Sequence, residues 1–232
     1  YEDINATSTL FAYYPWQEGG DIPAEFSVKA DQSGDNYTAS DLIVAVKAGV
    51  KPTLSSTQMT FKHKMSRIVI DVTNESGFDI TNIVIKGAVG TGVLDPATGN
   101  FTAKADAEAS DLIANTATAN KVYYALLVPQ NGVKLMVTVT TADGKKRTQT
   151  LGTADFKSGE NRRMECNVQP ADIEVKFSGP ITGWVDGDDL LPDGEGEVET
   201  PTVEWGGVKY EIVTLKAVSY THLRAHETSL HL

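Results

Sequence analysis

The apolar residues of this chain recur at every second position far more often than at every third or fourth. The clearest example lies in residues 132–151, where apolar residues at alternate positions precede an Asp-Gly pair: Val133, Leu135, Val137, Val139, then Asp143-Gly144. A period of two is that of a β-strand, whose successive side chains point to opposite faces of a sheet. Asp-Gly favours the tight turn of a hairpin. This segment therefore predicts a β-hairpin with one buried face.

Segments of the same kind follow one another closely along the chain. Ile80–Val89 and Lys121–Pro129 are rich in β-branched, aromatic and other apolar residues, and turn sequences such as Asp95–Asn100 separate the strands. Strands that recur at such short intervals are typical of sandwiches and barrels. The sequence therefore predicts an all-β fold, with an antiparallel β-sandwich from about Gln58 to Asp188.

Three segments allow more than one structure. In Met59–Asn74 the apolar positions change parity after Met65, which predicts one long strand with a bulge or twist. Asp106–Lys121 could hold one or two helical turns after Ser110, an N-cap residue, although its Thr and Asn content disfavours a long helix. Ser40–Val46 fits either a strand or a short capped helix.

The two ends of the chain lie outside the predicted sandwich. Residues 1–57 contain strand-like segments but are too few for a core of their own, so they either pack on the sandwich or belong to a domain of which only this part is present. Residues 189–202 form an acidic linker rich in Gly and Pro. Residues 203–216 resume the strand pattern across Gly206-Gly207, which predicts the start of a further, truncated module.

The negative charge of the chain argues against some classes of binding partner. The formal net charge is −11, and seven acids without one base lie between Asp186 and Glu199. Such a chain repels phosphates, so we expect no nucleic-acid partner and no direct binding to an anionic membrane. The acidic segment is as rich in Asp and Glu as a calcium-binding loop but lacks the spacing of its ligands. Leu190 stands at the third of the alternating positions, where such a loop has a ligand. We expect a solvated linker there.

Three of the four histidines lie in the last 15 residues. His222 and His226 stand four apart and His231 follows, which is a spacing that two metal ligands on one helical face would have. However, residues 218–232 resemble the translation of a transposase-based sequencing adaptor, beginning with Val-Ser-Tyr-Thr-His-Leu-Arg-Ala-His-Glu-Thr. We therefore expect 217–232 to be an artefactual tail without an evolved metal site.

The remaining sequence offers no set of residues for catalysis. His63 shares a strand face with Phe61 and Met65, which predicts a core or sheet-edge histidine. No helix follows the glycine-rich Gly87–Gly92, so a turn or bulge is expected there rather than a phosphate site. Cys166 is the single cysteine, so no disulfide can form within the chain, and we expect a small buried side chain. The sequence predicts a protein that is not an enzyme, with no catalytic, cofactor-binding or metal-binding residue.

An ordered set of short segments carries a family resemblance. The segments are FAYYPW (Phe11–Trp16), SDLIVA (Ser40–Ala45), MTFKHKMSRIVIDV (Met59–Val72), GTGVLDPATG (Gly90–Gly99), LLVPQ (Leu126–Gln130), FKSG (Phe156–Gly159) and ITGWVDG (Ile181–Gly187). Their order resembles the fimbrillin family, the type V pilins and related surface lipoproteins of Bacteroidetes. This chain has Met65-Ser66-Arg67 where the family commonly has Leu-Ser-Lys.

The resemblance implies a specific architecture and role. It implies transthyretin-like Greek-key sandwiches, with residues 1–57 as the end of a truncated N-terminal domain and 58–188 as the next sandwich. It also implies a fimbrial or cell-surface adhesion protein at the outer membrane, held by a lipid anchor upstream and assembled by β-strand addition. Its partners would be other fimbrial subunits or ligands on host or microbial surfaces. The acidic linker and further module favour a tip, accessory or lipoprotein role over a shaft subunit.

Two other functions remain open on the sequence. A glycan-binding surface protein of a nutrient-uptake system would need an exposed row of aromatic rings, for which Tyr13, Tyr14 and Trp16 are the candidates. An enzyme would need its catalytic set beyond Lys216. If the three rings are buried, the glycan-binding alternative loses its site.

Overall fold

The computed structural model describes residues 7–16, 22–51, 56–184, 202–205 and 208–211. Seventeen strands and one short helix occur in these ranges. In chain order they are β1 (Ser8–Tyr14), β2 (Glu25–Ser27), α1 (Asp35–Ala39), β3 (Ile43–Val50), β4 (Lys62–His63), β5 (Ser66–Asn74), β6 (Ile80–Val89), β7 (Thr91–Asp95), β8 (Asn100–Ala103), β9 (Ala109–Ile113), β10 (Asn115–Thr118), β11 (Val122–Leu127), β12 (Gln130–Thr141), β13 (Lys146–Phe156), β14 (Glu160–Val168), β15 (Ile173–Gly183), β16 (Thr202–Trp205) and β17 (Val208–Glu211).

Two sheets form the sandwich, which confirms the predicted all-β class. One sheet has five strands in the order β10-β11-β5-β14-β15, and the other has four in the order β13-β12-β6-β9. All neighbours are antiparallel except β5 and β14, which run parallel in the middle of the larger sheet. A parallel pair needs a long crossover connection. Here the strands from β6 to β13 supply it, within a sandwich whose other strand pairs are antiparallel as predicted.

The period-two segment behaves as predicted. Val133, Leu135, Val137 and Val139 are all buried in the core between the sheets. The hairpin between β12 and β13 is confirmed, with Gly144 at φ 80° in its turn, although the loop has four residues, 142–145, rather than two. The Thr141 hydroxyl donates to the Asp143 carboxylate at 2.6 Å, which fixes the turn.

Two predictions for individual segments were wrong. Met59–Asn74 is not one long strand, because β4 ends at His63 and β5 begins at Ser66, and the two strands belong to different sheets. Asp106–Lys121 contains no helix; its residues form β9 and β10, and Ala109–Ile113 pairs with β6. Pairing with β6 buries Leu112 in the core, and this tertiary contact outweighs the weak helical preference around Ser110.

The described residues before position 52 share the core of the sandwich. Phe26 on β2 meets Phe101 on β8 edge to face, with 6.3 Å between ring centroids, and Leu42 and Tyr37 are buried in the same cluster. Strand β1 pairs with β3, and β3 with β4, in a small three-stranded sheet. Of the two alternatives, packing on the sandwich is observed. The assignment of residues 1–57 to a truncated N-terminal domain stays a prediction.

A second unit covers 185–226, of which the structure describes two strands. Strands β16 and β17 pair antiparallel from Thr202↔Glu211 to Trp205↔Val208, as the predicted hairpin requires. Residues 189–201 of the predicted linker, 212–216, and the tail 217–232 with its three histidines lie outside the described residues. Among the described residues, no helix is long and apolar enough to cross a membrane.

Candidate functional site

A cluster of polar and aromatic side chains surrounds His63 at the edge of the small sheet. The His63 ring stacks on Trp184, with 3.7 Å between centroids and 8° between planes. Its Nδ1 lies 2.9 Å from the carboxylate of Asp41, and both side chains are largely buried. The prediction of a core or sheet-edge histidine is confirmed. Sequence reasoning missed Asp41, because it lies 22 residues away, between α1 and β3.

Arg67 completes this cluster. Its guanidinium carbon lies 4.8 Å from the centre of the Trp184 ring, and its Nε donates to Asn161 Oδ1 at 2.6 Å. Arg67 is buried, and a buried guanidinium is tolerated where its charge meets hydrogen-bond acceptors and an aromatic face. Trp184 thus contacts both a histidine and an arginine, which holds the end of the first unit in place.

Backbone hydrogen bonds fix the same region. The Trp184 N–H donates to the Gly159 carbonyl at 2.7 Å, and the Gly159 N–H donates to the Met65 carbonyl at 2.9 Å. Gly159 has φ 70°, a left-handed conformation that glycine adopts without strain. The FKSG turn and the ITGW segment, which carried the family resemblance separately, therefore meet at one point of the fold.

This cluster is built for rigidity. Its groups are largely buried and bonded to one another. Among the residues that the structure describes, no three His, Cys, Asp or Glu side chains come together as a metal site requires. Burial raises the pKa of the Cys166 thiol to about 12, so this side chain stays protonated at neutral pH and is a poor nucleophile. Its predicted burial is confirmed.

The glycine-rich segment is a bulge, as expected. Gly87 has φ 96°, and the register between β6 and β9 shifts between Ile85 and Ala88. A Cβ at Gly87 would lie 2.6 Å from the Lys134 carbonyl oxygen on the neighbouring strand. The close approach of two backbones, rather than a phosphate, explains this glycine.

In the described part of the chain, three glutamine side chains pair with the backbone of a strand as a neighbouring strand would. In each, the amide oxygen accepts from the N–H of one strand residue and the amide nitrogen donates to the carbonyl of that same residue. The pairs are Gln32 with Leu126 (both 2.8 Å), Gln130 with Val89 (3.0 and 3.2 Å) and Gln149 with Val175 (2.6 and 2.9 Å). Gln149 satisfies the outer edge of β15, and Gln32 covers β11 beyond the end of β10.

The edges of the sheets differ in how well they are protected. Strand β15 carries Pro180 as well as the Gln149 contact, and the edge near β9 is bridged by Asp31, which pairs with Ile113. Strand β1 is the outer strand of its sheet over Ser8–Tyr14, and its sequence STLFAYY contains no charge and no proline. Charges, prolines and bulges are the usual devices that keep an edge strand from pairing with another chain. Apart from a register shift near Ser8, β1 lacks them.

The aromatic residues near β1 do not form an exposed row. Tyr13 is partly buried and packs against the core, and Tyr14 is also partly buried. Trp16 is 51% exposed. The glycan-binding alternative at this place required an exposed row of rings, and among Tyr13, Tyr14 and Trp16 the structure exposes one.

Comparison with known proteins agrees with this fold. The sequence model of the fimbrillin-like family matches residues 1–184. A proposed cell adhesion protein from Bacteroides ovatus superposes with a TM-score of 0.63 at 22% identity, over 78% of this chain and 69% of its own. Another, from Bacteroides uniformis, gives 0.62 at 16% identity, over 79% of this chain and 75% of its own. At these identities the two structures show a shared fold.

No curated protein sequence matches this chain significantly. The family match nevertheless covers both sheets of the sandwich and ends at Trp184. The His63, Gly159 and Trp184 segments that meet in the structure all lie within it. The chain belongs to the fimbrillin-like family.

Proposed function

We propose that this protein is a non-catalytic fimbrial or cell-surface adhesion protein that assembles by β-strand addition. Membership of the fimbrillin-like family supports the fimbrial or surface role. A tip, accessory or lipoprotein position, with a lipid anchor upstream at the outer membrane, is part of the proposal. Its partners are other fimbrial subunits or ligands on host or microbial surfaces.

The observation that carries strand addition is the edge position of β1: in the described part of the chain, no strand pairs with it on the side away from β3. Seven residues without a charge or a proline lie at the outer position of the small sheet. An added strand gains main-chain hydrogen bonds with a net value of about 0.5–1.5 kcal/mol each. Alternate side chains set its register against the half-buried residues of β1. The other long edges carry a proline, a glutamine contact or basic residues, so β1 is the preferred acceptor.

The test is to place a charge on this edge. Leu10 pairs with Lys47 on β3, so Leu10→Glu adds a negative charge that Lys47 can balance within the sheet. The matched control is Ile181→Glu, an apolar-to-acidic change at a 49% exposed position on β15. Both variants keep the core intact, because neither side chain belongs to it.

The intact gene is expressed in the bacterium of origin with an epitope tag, and detached fimbriae are probed by immunogold microscopy. We expect gold on the filaments for the wild type and for Ile181→Glu, and at least about a tenfold loss for Leu10→Glu. Equal labelling of all three proteins would exclude β1 as the acceptor edge. Recovery of the wild type in the cytoplasmic fraction alone would refute the surface role itself.

A further inference from the structure

An open pocket of about 410 Å³ lies at the end of the sandwich, where the β5–β6 loop meets the β10–β11 turn. Its lining includes Asn74, Phe78, Asp79, Asn120 and Lys121. This volume falls in the range of small-molecule sites. The pocket lies on strands other than β1, and strand addition at β1 does not involve it.

The β5–β6 loop is held rigidly in its own shape. Asn74 donates to the Phe78 carbonyl at 2.8 Å, and its Oδ1 accepts from the Ser76 N–H and hydroxyl at 3.1 and 2.7 Å. Ile80, two residues after Phe78, is buried. Phe78 is nevertheless 47% exposed, because these bonds keep its backbone at the rim instead of letting the ring turn into the core.

Asn120 locks the two loops together. It adopts φ 63°, the one positive φ of a residue other than glycine in the described part of the chain. Its Oδ1 accepts from the Ile80 N–H at 2.6 Å, and its Nδ2 donates to Asp79 Oδ1 at 2.9 Å. Residues other than glycine hold a left-handed backbone where the surrounding bonds require it. The pocket is therefore preformed and costs little ordering on binding.

Two charged groups at this pocket keep hydrogen-bonding capacity for a ligand. Within the described residues, Asp79 Oδ2 accepts no hydrogen bond, and the Lys121 ammonium makes neither a hydrogen bond nor an ion pair. The pocket thus offers an aromatic side chain, one acceptor carboxylate and one donor cation, with no net charge from the pair. Asn120 uses one of its two N–H groups and adds a second donor.

We propose that this pocket binds a neutral saccharide. One face of a sugar ring carries C–H groups that pack on an aromatic ring, and its hydroxyls both donate and accept hydrogen bonds. Phe78 takes the apolar face, Asp79 accepts from hydroxyls, and Lys121 and Asn120 donate to them. An anionic glycan is disfavoured by the net charge of −11. The inference goes beyond strand addition and does not depend on it.

The test uses isotope-labelled intact chain titrated with the neutral trisaccharides cellotriose, mannotriose and xylotriose, followed by amide chemical shifts. At least one trisaccharide is expected to shift the amides of residues 74–79 and 120–121. Phe78→Ala should weaken that binding by at least about tenfold, because it removes the ring on which the apolar face of the sugar packs. Lys121→Met, which keeps the length of the side chain, should weaken it by about fivefold or more.

Trp16→Ala is the matched control, since Trp16 is an equally exposed aromatic far along the sequence from the pocket. It should leave the dissociation constant within about twofold of the wild type. The proposal is overturned if no neutral trisaccharide shifts the pocket amides, if Phe78→Ala binds as well as the wild type, or if Trp16→Ala loses as much affinity. Binding of a hyaluronan tetrasaccharide in place of the neutral sugars would equally contradict it.

Discussion

Replacing Gln32 by Met removes the contact that joins the N-terminal residues to the larger sheet. Gln32 is 0% exposed, and its amide makes both hydrogen bonds to the backbone of Leu126, which is itself buried. Met has nearly the same volume, so the change leaves no large cavity. It leaves one N–H and one carbonyl of Leu126 buried without these partners, at about 1–3 kcal/mol each. The expected loss in the free energy of unfolding is about 2–6 kcal/mol.

Urea unfolding followed by far-ultraviolet circular dichroism measures this loss. With a slope of about 2 kcal/mol per molar urea, the midpoint should fall by about 1–3 M. Gln149→Met should cost less, because Gln149 is partly exposed and water can replace its bonds to Val175. Gln169→Met, which removes a bond to the exposed Glu75 carboxylate, should stay within about 0.5 kcal/mol of the wild type.

The order of the three variants is the decisive result. If Gln32→Met unfolds within about 0.5 kcal/mol of the wild type at an unchanged slope, the residues around Gln32 are not part of the cooperative unit. Residues 1–57 would then behave as the end of a separate domain. If Gln32→Met costs the most, this segment is an integral part of the sandwich.

Three further predictions concern buried side chains. Tyr37→Phe should leave stability unchanged or raise it by up to about 1 kcal/mol in urea unfolding, because no hydrogen bond of normal geometry reaches the buried hydroxyl; a loss above 1 kcal/mol would contradict this. Burial raises the pKa of Tyr37 well above 10, with the nearby Arg67 cation lowering it in part, so its contribution to stability is complete below pH about 10 and is lost as the pH rises further. Tyr37→Phe should therefore raise the midpoint pH of alkaline unfolding. Cys166, with its pKa raised to about 12, should react with iodoacetamide in urea but not in the folded protein at pH 8, as mass spectrometry would show. Trp184→Ala should lower the free energy of unfolding by about 2–3 kcal/mol, and Trp184→Phe by about 1 kcal/mol because Phe keeps a ring stacked on His63. Trp16→Ala is the control. Equal losses for Trp184→Ala and Trp16→Ala would exclude a structural role for the stack.

The sequence predicted local structure correctly where one face of a strand packs against the core. The alternation of Val133 to Val139 required a half-buried strand, and the Asp143-Gly144 pair placed its turn. Burial of Cys166 was expected because a free cysteine behaves as a small apolar side chain. These features depend on residues a few positions apart, so the sequence carries them directly. The same holds for the ordered segments that resemble the fimbrillin family.

Contacts between distant residues could not be predicted in this way. Asp41 reaches His63 across 22 positions, and Gln32 reaches Leu126 across 94. The helical preference at Ser110 failed because pairing with β6 decides the conformation of that segment. The exposed Phe78 gave no periodic signal, since its place is set by Asn74 and Asn120 in two separate loops.

The sequence by itself therefore determined the all-β class, the main hairpin and the family, because each depends on short-range alternation and on local motifs. The tertiary structure decided the parallel pair of β5 and β14, the cluster around Trp184, the edge position of β1 in the small sheet, and the place of the pocket. Those features arise when strands far apart in the chain compete for the same neighbours. Which strands pair is decided by packing and by the need for a hydrogen-bond partner at every buried backbone N–H and carbonyl. No short stretch of sequence contains that information.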